Sequence, residues 1–381
     1  MVLNNRRFEV IRHLLGKYFI AALAILFCLA NNFSLADEIK IATVAPLTEE
    51  RAWAGEQSRR GAEMAVADFN ANGGVLGQQI ALAVEDDAAD PDQAAAVARK
   101  LVNNGVVFVA GHRGSDASIA ASSVYHSAGV IQISPSATNP LLTEQGFDNV
   151  FRVCGRDDQQ GQIAGEYLAN HFRDRAIGIV HDGSIYGRGL AVQTQTTLNN
   201  LGTNEVVFDQ YDPQSREYSK LIDKLRASSV DVVYLGGYSW EAGLIMRQAH
   251  DQGLDFQLIS GDALHNTDFW EISGMAGQSA LFTFSADPRE HPAAVEVVQR
   301  FRDDGYEPEG YTLHTYAAIQ VWAQAVEQAG TLESDTVIAE LHKGTFDTVL
   351  GPIAFTEKGD LIEHQFVWYQ WKDGVFHPHA N

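Results

Sequence analysis

Strand-like and helix-like segments alternate along almost the whole chain, and this periodicity limits the fold more than any other feature. Short apolar runs that suit buried strands fall at Ile39–Ala45, Ile80–Val84, Val106–Ala110, Val130–Ile133, Ala176–Val180, Val206–Tyr211, Val230–Leu235, Gln257–Ser260 and Ala280–Phe284. Between them lie amphipathic stretches at helical spacing: Gln57–Asn72, Ala94–Asn104, Asp116–His126, Asp157–His171, Gly187–Leu201, Tyr218–Ala227, Trp240–Gln252, Ala293–Gly305 and Thr315–Gly330. Such alternation implies parallel sheets covered by helices on both faces. Local signals agree with it. Asn72-Gly73-Gly74 reads as a helix stop, and Asp90-Pro91-Asp92-Gln93 as an N-cap, a proline at the first helical position and a capping-box partner. The tail departs from the pattern with runs at Ile353–Phe355, His364–Trp371 and Val375–His377. The Asp373-Gly374 step between the last two predicts a terminal hairpin.

Residues 1–36 stand apart from the fold. Arg6, Arg7, Arg12 and Lys17 precede the apolar run Tyr18–Ala30, and Ser34-Leu35-Ala36 offers a cleavage site before Asp37, as in a Sec-type signal peptide. The run is short for a membrane span, so retention as an N-terminal anchor is the alternative, and Leu26-Phe27 before Cys28 makes a poor lipobox. The expected product is a soluble protein of the periplasm. Of 27 basic and 49 acidic residues, four basic and one acidic fall in the signal, which leaves a formal charge of −25. That charge excludes nucleic acid as a partner. Only Cys154 remains, so no intramolecular disulfide is possible, and a buried structural thiol is expected there.

No catalytic motif survives inspection, and an enzyme is not expected. Gly237-Tyr238-Ser239-Trp240-Glu241 resembles a nucleophile elbow, but Glu241 stands where its last glycine belongs. Gly187-Arg188-Gly189 lacks the third glycine of a dinucleotide fingerprint. The thirteen histidines are scattered without metal-ligand spacing, and the acidic run before Asp92 lacks the glycine and terminal glutamate of a calcium loop. Neither a metal nor a cofactor is called for.

Polar residues at strand ends recur instead. Ser115 stands at the start of the helix after Val106–Ala110, in N-cap position, while Ser136 and Thr138 follow Val130–Ile133. Hydroxyls beside a helix N-terminus suit a carboxylate or phosphate. Tyr186, Tyr238 and Asp262 follow three strands of the second half. If two sheets oppose their carboxyl edges, where ligands sit in such folds, the site carries opposite signs on its two walls. That suits a zwitterion, with its carboxylate at Ser115 and Thr138 and its ammonium at Asp262.

Across the mature chain, segments such as GAEMAVADFNANGGVLGQQI, AGHRGS, ISPSAT, GRDDQQG, IGIVHDGSIYGRGLA, VVYLGGY and TVLGPIAFTEKGD occur in the order typical of one family. The chain resembles the periplasmic branched-chain (Leu/Ile/Val) amino-acid binding proteins of ABC transporters. The resemblance implies an α/β fold of two Rossmann-like, doubly wound lobes joined by a three-crossing hinge, the type I periplasmic binding protein. An N-terminal lobe would comprise 37–156 and 286–364, and a C-terminal lobe 157–285 and 365–381, with crossings near Gly155–Arg156, Ala286 and His364. It implies that Ser115 and Thr138 bind the ligand carboxylate, helped by the main chain around Ser136 and Ala137. Tyr186 and Tyr238 would close from the other lobe, and Asp262 matches the family's ammonium-binding acid, usually a glutamate. Trp53 would stand near an aromatic wall and Tyr311 at another contact with the ligand's side chain. The two cysteines that family members often link are replaced by Ala89 and Gly114. The implied function is capture of an aliphatic, branched-chain-like L-amino acid by a monomer that delivers it to a membrane permease. A ligand-sensing protein for amides or other amino acids, acting through a receptor, is the alternative.

Overall fold

The computed structural model describes residues 38–380, so the signal segment expected at 1–36 lies outside it. The chain opens with β1 (Ile39–Ala45), α1 (Ala52–Ala71), β2 (Ile80–Asp86), α2 (Pro91–Asn103), β3 (Phe108–Gly111), α3 (Ser115–Ala128), β4 (Ile131–Ser134), the single turn α4 (Leu141–Glu144) and β5 (Val150–Arg152). These strands form a five-stranded sheet of order β2-β1-β3-β4-β5, parallel throughout.

Next come α5 (Asp157–His171), β6 (Ile177–His181), α6 (Ile185–Asn200), β7 (Val207–Gln210), α7 (Ser219–Ala227), β8 (Val232–Gly236), α8 (Ser239–Asp251), β9 (Gln257–Ser260), α9 (Thr267–Ser273) and β10 (Leu281–Ser285). The chain then runs through α10 (Val295–Asp303), α11 (Thr312–Ala329), α12 (Ser334–Lys343) and the small ribbon β11 (Phe346–Thr348) and β12 (Gly351–Ile353). It ends with β13 (Phe366–Lys372) and β14 (Val375–Pro378). The second sheet has seven strands in the order β14-β13-β10-β9-β8-β6-β7, and β13 joins β10 antiparallel. Both sheets place the first strand of their unit second in the row, so strand order reverses between β1 and β3 and again between β6 and β8. Ligand crevices form at such reversals, outside the strands' carboxyl ends.

Sequence order and packing part company after β10. Val297, Val298 and Phe301 of α10 and the apolar residues of α11 from Leu313 to Val326 share one core with Ile41, Phe108 and Ile133 of the first sheet. Trp322 of α11 stacks on Phe108, with centroids 4.9 Å apart and planes 7° apart. The chain therefore returns to the first sheet after building the second, then crosses back so that Tyr369 and Trp371 of β13 join the core around Phe282 and Leu258.

The predicted strands match to within two residues, whereas helix starts shift. α1 begins at Ala52, five residues before the periodicity predicted, because Ala54 and Gly55 are also buried. A methyl group on Gly55 would lie 1.8 Å from the Pro46 carbonyl oxygen. α11 begins at Thr312, where α1 crosses it so closely that a Cβ on Gly61 would meet the Thr312 carbonyl oxygen at 2.2 Å. α9 and α12 were not foreseen; each is short, and α12 buries only Val337, Ile338 and Leu341. Asp90 caps α2 by accepting from Gln93 N at 2.8 Å, but the Gln93 side chain donates to Asp86 O and does not close a capping box. Asp373 and Gly374 both take positive φ, 51° and 87°, in the two-residue turn of the expected hairpin. No helix among the described residues is long and apolar enough to cross a membrane.

Candidate functional site

The carboxyl ends of the two sheets face one another. On the first, β3 and β4 are neighbours, so the loops after them lie side by side. Gly114, not Ser115, is the N-cap of α3. Ser115 occupies the first helical turn, and its Oγ accepts from Asn139 N at 3.2 Å, which leaves the hydroxyl proton available. The N–H groups of that turn have no partners within the helix. Ser136 and Ala137 shape the loop: Ser136 Oγ donates to Arg113 O at 2.8 Å, and Ala137 N donates to Ser134 Oγ at 3.0 Å. Thr138 is fully buried, and its hydroxyl lies beside the Asp157 carboxyl without a well-formed bond. Arg152, wholly buried, grips this loop from behind through Ala137 O at 2.6 Å and Asn139 O at 3.0 Å, and pairs with Asp360 at 2.8 Å.

The opposite wall comes from the neighbouring strands β6, β8 and β9. Tyr186 sits in the first turn of α6, Tyr238 is the N-cap of α8, and Asp262 opens a 3-10 turn after β9. The Asp262 carboxylate accepts from Tyr186 Oη at 3.0 Å, Gln160 Nε2 at 2.7 Å and Tyr311 Oη at 2.5 Å. Gln160 is itself fixed, because its Oε1 accepts from Asp262 N and Thr283 Oγ1. A carboxylate has about four lone-pair directions. One stays open for an incoming donor. Asp157 is buried close by, and burial, then the Asp262 charge, holds its carboxyl well above the usual range.

Tyr186 and Tyr238 pack with centroids 5.1 Å apart, and the Arg51 guanidinium lies 3.8 Å over the Tyr238 ring while pairing with Glu241 at 3.5 Å. Between the walls, Arg113, Gly114, Ser115, Ser136, Tyr186, Tyr238, Asp262 and Ala263 enclose a cavity of about 10 Å³. A larger vestibule of about 700 Å³ adjoins it at Gly114 and Tyr238 and includes Arg51, Asp116, Asp182 and Glu241. Hydrogen bonds cross between the walls: Ile185 N donates to Asp116 Oδ1 at 2.9 Å, Asn139 Nδ2 donates to Ile185 O at 2.9 Å, and Gln57 Nε2 donates to Asn266 Oδ1 at 2.5 Å. A cavity this small admits an amino acid only when the walls part or side chains swing.

Of the residues expected from sequence, Ser115, Ser136, Tyr186, Tyr238 and Asp262 line the cavity itself. Thr138 and Ala137 lie just behind it, Tyr311 reaches Asp262, and Trp53 stands 5.4 Å from the Arg113 guanidinium. Sequence reasoning missed Arg113, Gln160 and Asp116. Arg113 sits within the motif AGHRGS, two residues before Ser115, and that adjacency was the available signal. Cys154 is buried, and burial pushes its thiol up, far from a reactive thiolate. A separate cavity of about 660 Å³ lies beside the crossings, lined by Val153, Ala286, His314 and His364, and shares no residue with the site.

With this geometry in hand, comparison with known proteins is decisive. The profile described as periplasmic binding protein matches residues 38–375. The chain belongs to the periplasmic binding protein family. The Leu/Ile/Val-binding protein homolog 1 of Brucella melitensis is 44% identical over 360 residues, covering 94% of this chain and 97% of its own length. A leucine binding protein from Thermotoga maritima superposes with a TM-score of 0.82 at 26% identity, over 90% of this chain and 98% of that one. The branched-chain amino acid transporter substrate binding protein of Streptococcus pneumoniae, solved with isoleucine, gives 0.80 at 25% identity, over 89% and 98%. The two-sheet α/β architecture expected from the sequence is thus that of periplasmic solute-binding proteins of the branched-chain type.

Proposed function

We propose that this periplasmic binding protein captures an L-amino acid of the aliphatic, branched-chain class and delivers it to an ABC permease. The Asp262 cage carries the reading. A carboxylate held by two phenols and an amide, with one lone pair left, faces hydroxyls and the N-terminus of α3 across a closed cavity. That arrangement complements an α-ammonium on one side and an α-carboxylate on the other. The names of the relatives supply the aliphatic class. Two lobes, residues 37–156 with 286–364 and 157–285 with 365–381, would close around the ligand by bending at crossings near Gly155–Arg156, Ala286 and His364. Export by cleavage before Asp37 would release the chain, as a monomer, into the periplasm.

The test is a thermal-shift screen of refolded protein against the proteinogenic amino acids and small amides. A ligand at a hundredfold excess over its Kd stabilises the folded state by about 2.7 kcal/mol. Shifts with leucine, isoleucine or valine support the reading. Shifts with amides alone would keep the fold and move the substrate, and no shift at all would favour the ligand-sensing alternative.

A further inference from the structure

A neutral zwitterion leaves one charge in this site unmatched. Arg113 is only 7% exposed. Its Nε donates to Ala54 O at 3.1 Å and one Nη to Gln57 Oε1 at 3.4 Å, both at the start of α1. The other Nη meets no protein acceptor, and no carboxylate among the described residues pairs with the guanidinium. The acids whose fields reach it are Asp262 and Asp268. Asp262 already holds Tyr186, Gln160 and Tyr311, and its open lone pair is the one assigned to the ammonium. Asp268 accepts from Ser239 Oγ at 2.6 Å, and burial pushes its carboxyl up to about 7, so it is only partly ionised. The rings of Trp53 and Tyr311 stand 5.4 and 5.5 Å from the guanidinium. An uncompensated buried charge is costly, and here burial lowers the Arg113 pKa.

Arg113 also lines the same small cavity as Ser115 and Asp262. Once those two walls take the α-carboxylate and α-ammonium, Arg113 is the charged group left facing the remainder of the ligand. We infer that the site accepts, alongside aliphatic amino acids, an L-amino acid whose side chain ends in a carboxylate, paired with the Arg113 guanidinium. This rests on the amino-acid reading above. With an aliphatic ligand the guanidinium stays folded against Ala54 and Gln57. With an acidic one its free N–H groups meet a carboxylate oxygen, a charge-assisted bond in a water-poor site.

Titration calorimetry with L-glutamate, L-aspartate and L-leucine, on wild type, Arg113→Leu and Arg113→Lys, tests it. Glutamate or aspartate should bind wild type at least as tightly as leucine. Arg113→Leu should weaken the acidic ligand by about 100-fold more than it weakens leucine, the scale of a lost buried charge partner. Arg113→Lys, which keeps the charge without the planar fork, should fall between and guards against misfolding of the leucine variant. Leucine binding without any acidic ligand would overturn the inference and leave the amino-acid reading standing. Equal loss of leucine and glutamate in Arg113→Leu would overturn it too, by placing Arg113 on the α-carboxylate. If no amino acid bound wild type, the underlying reading would fail and carry this inference with it.

Discussion

The Tyr311 phenol donates to the Asp262 carboxylate at 2.5 Å. Tyr311 is the N-cap of α11, which packs on the first sheet, whereas Asp262 follows β9 of the second. One hydrogen bond therefore ties the carboxylate proposed to take the ammonium to both halves of the molecule. Asp262 can sense whether the halves are together, and a ligand that shares this carboxylate couples its own binding to their approach.

Asp262→Asn should weaken binding of any amino-acid ligand by about 100-fold, since a hydrogen bond to a charged group contributes roughly 1.5–3 kcal/mol and the amide also presents a donor to Tyr186 and Gln160. Calorimetry against leucine checks this. Unchanged affinity would remove Asp262 from the site.

Asp116 accepts from Ile185 N at 2.9 Å and Tyr186 N at 3.4 Å across the cleft. Asp116→Ala should weaken ligand binding about tenfold, chiefly through faster dissociation, because the lost bonds exist only when the walls meet. Stopped-flow rates of binding and release separate the two. A slower association at constant dissociation would show that these bonds do not hold the walls together.

Arg152→Met removes a buried cation that holds Ala137 O, Asn139 O and Asp360. Leaving Asp360 with Arg156, at 2.6 Å, as its remaining cation beside the Thr143 hydroxyl should cost about 3 kcal/mol of stability, at the low end of the range for breaking buried pairs. Denaturant unfolding measures that cost. Ligand affinity should fall as well, because the loop bearing Thr138 loses its support.

His265 is buried among Phe282, Phe284, Tyr369 and Phe376 with neither ring nitrogen bonded, and burial pushes its pKa down from 6.5 to about 3. Above pH 6.5 the ring is neutral whether the chain is folded or not. As pH falls from 6.5 toward 3 the unfolded chain takes up a proton that the folded chain resists, so stability drops. His265→Phe should raise Tm at pH 7, by relieving unbonded buried polar atoms, and should flatten the loss between pH 7 and 5. His314, depressed to about 3 by the same cause, keeps part of that loss in place. Parallel Tm curves for the two proteins would refute the assignment.

Local patterns determined much of this protein. β1 and β9 fall where their apolar runs lie, Asp90 caps α2, and Asp373-Gly374 turns the last hairpin, because each is set by neighbours within a few residues. Parallel sheets followed from strand–helix alternation, and the polar strand ends of both halves marked the two walls before any contact was known. Tertiary structure alone decided what the walls do together. The approach of Gln160 and Tyr311 to Asp262, the raised carboxyl pKa of Asp157 beside it and the unpaired Arg113 all depend on residues tens to hundreds of positions apart. Charge and hydrogen-bond strength are set by which groups are brought within about 3 Å and cut off from water, and no stretch of sequence read by itself contains that distance.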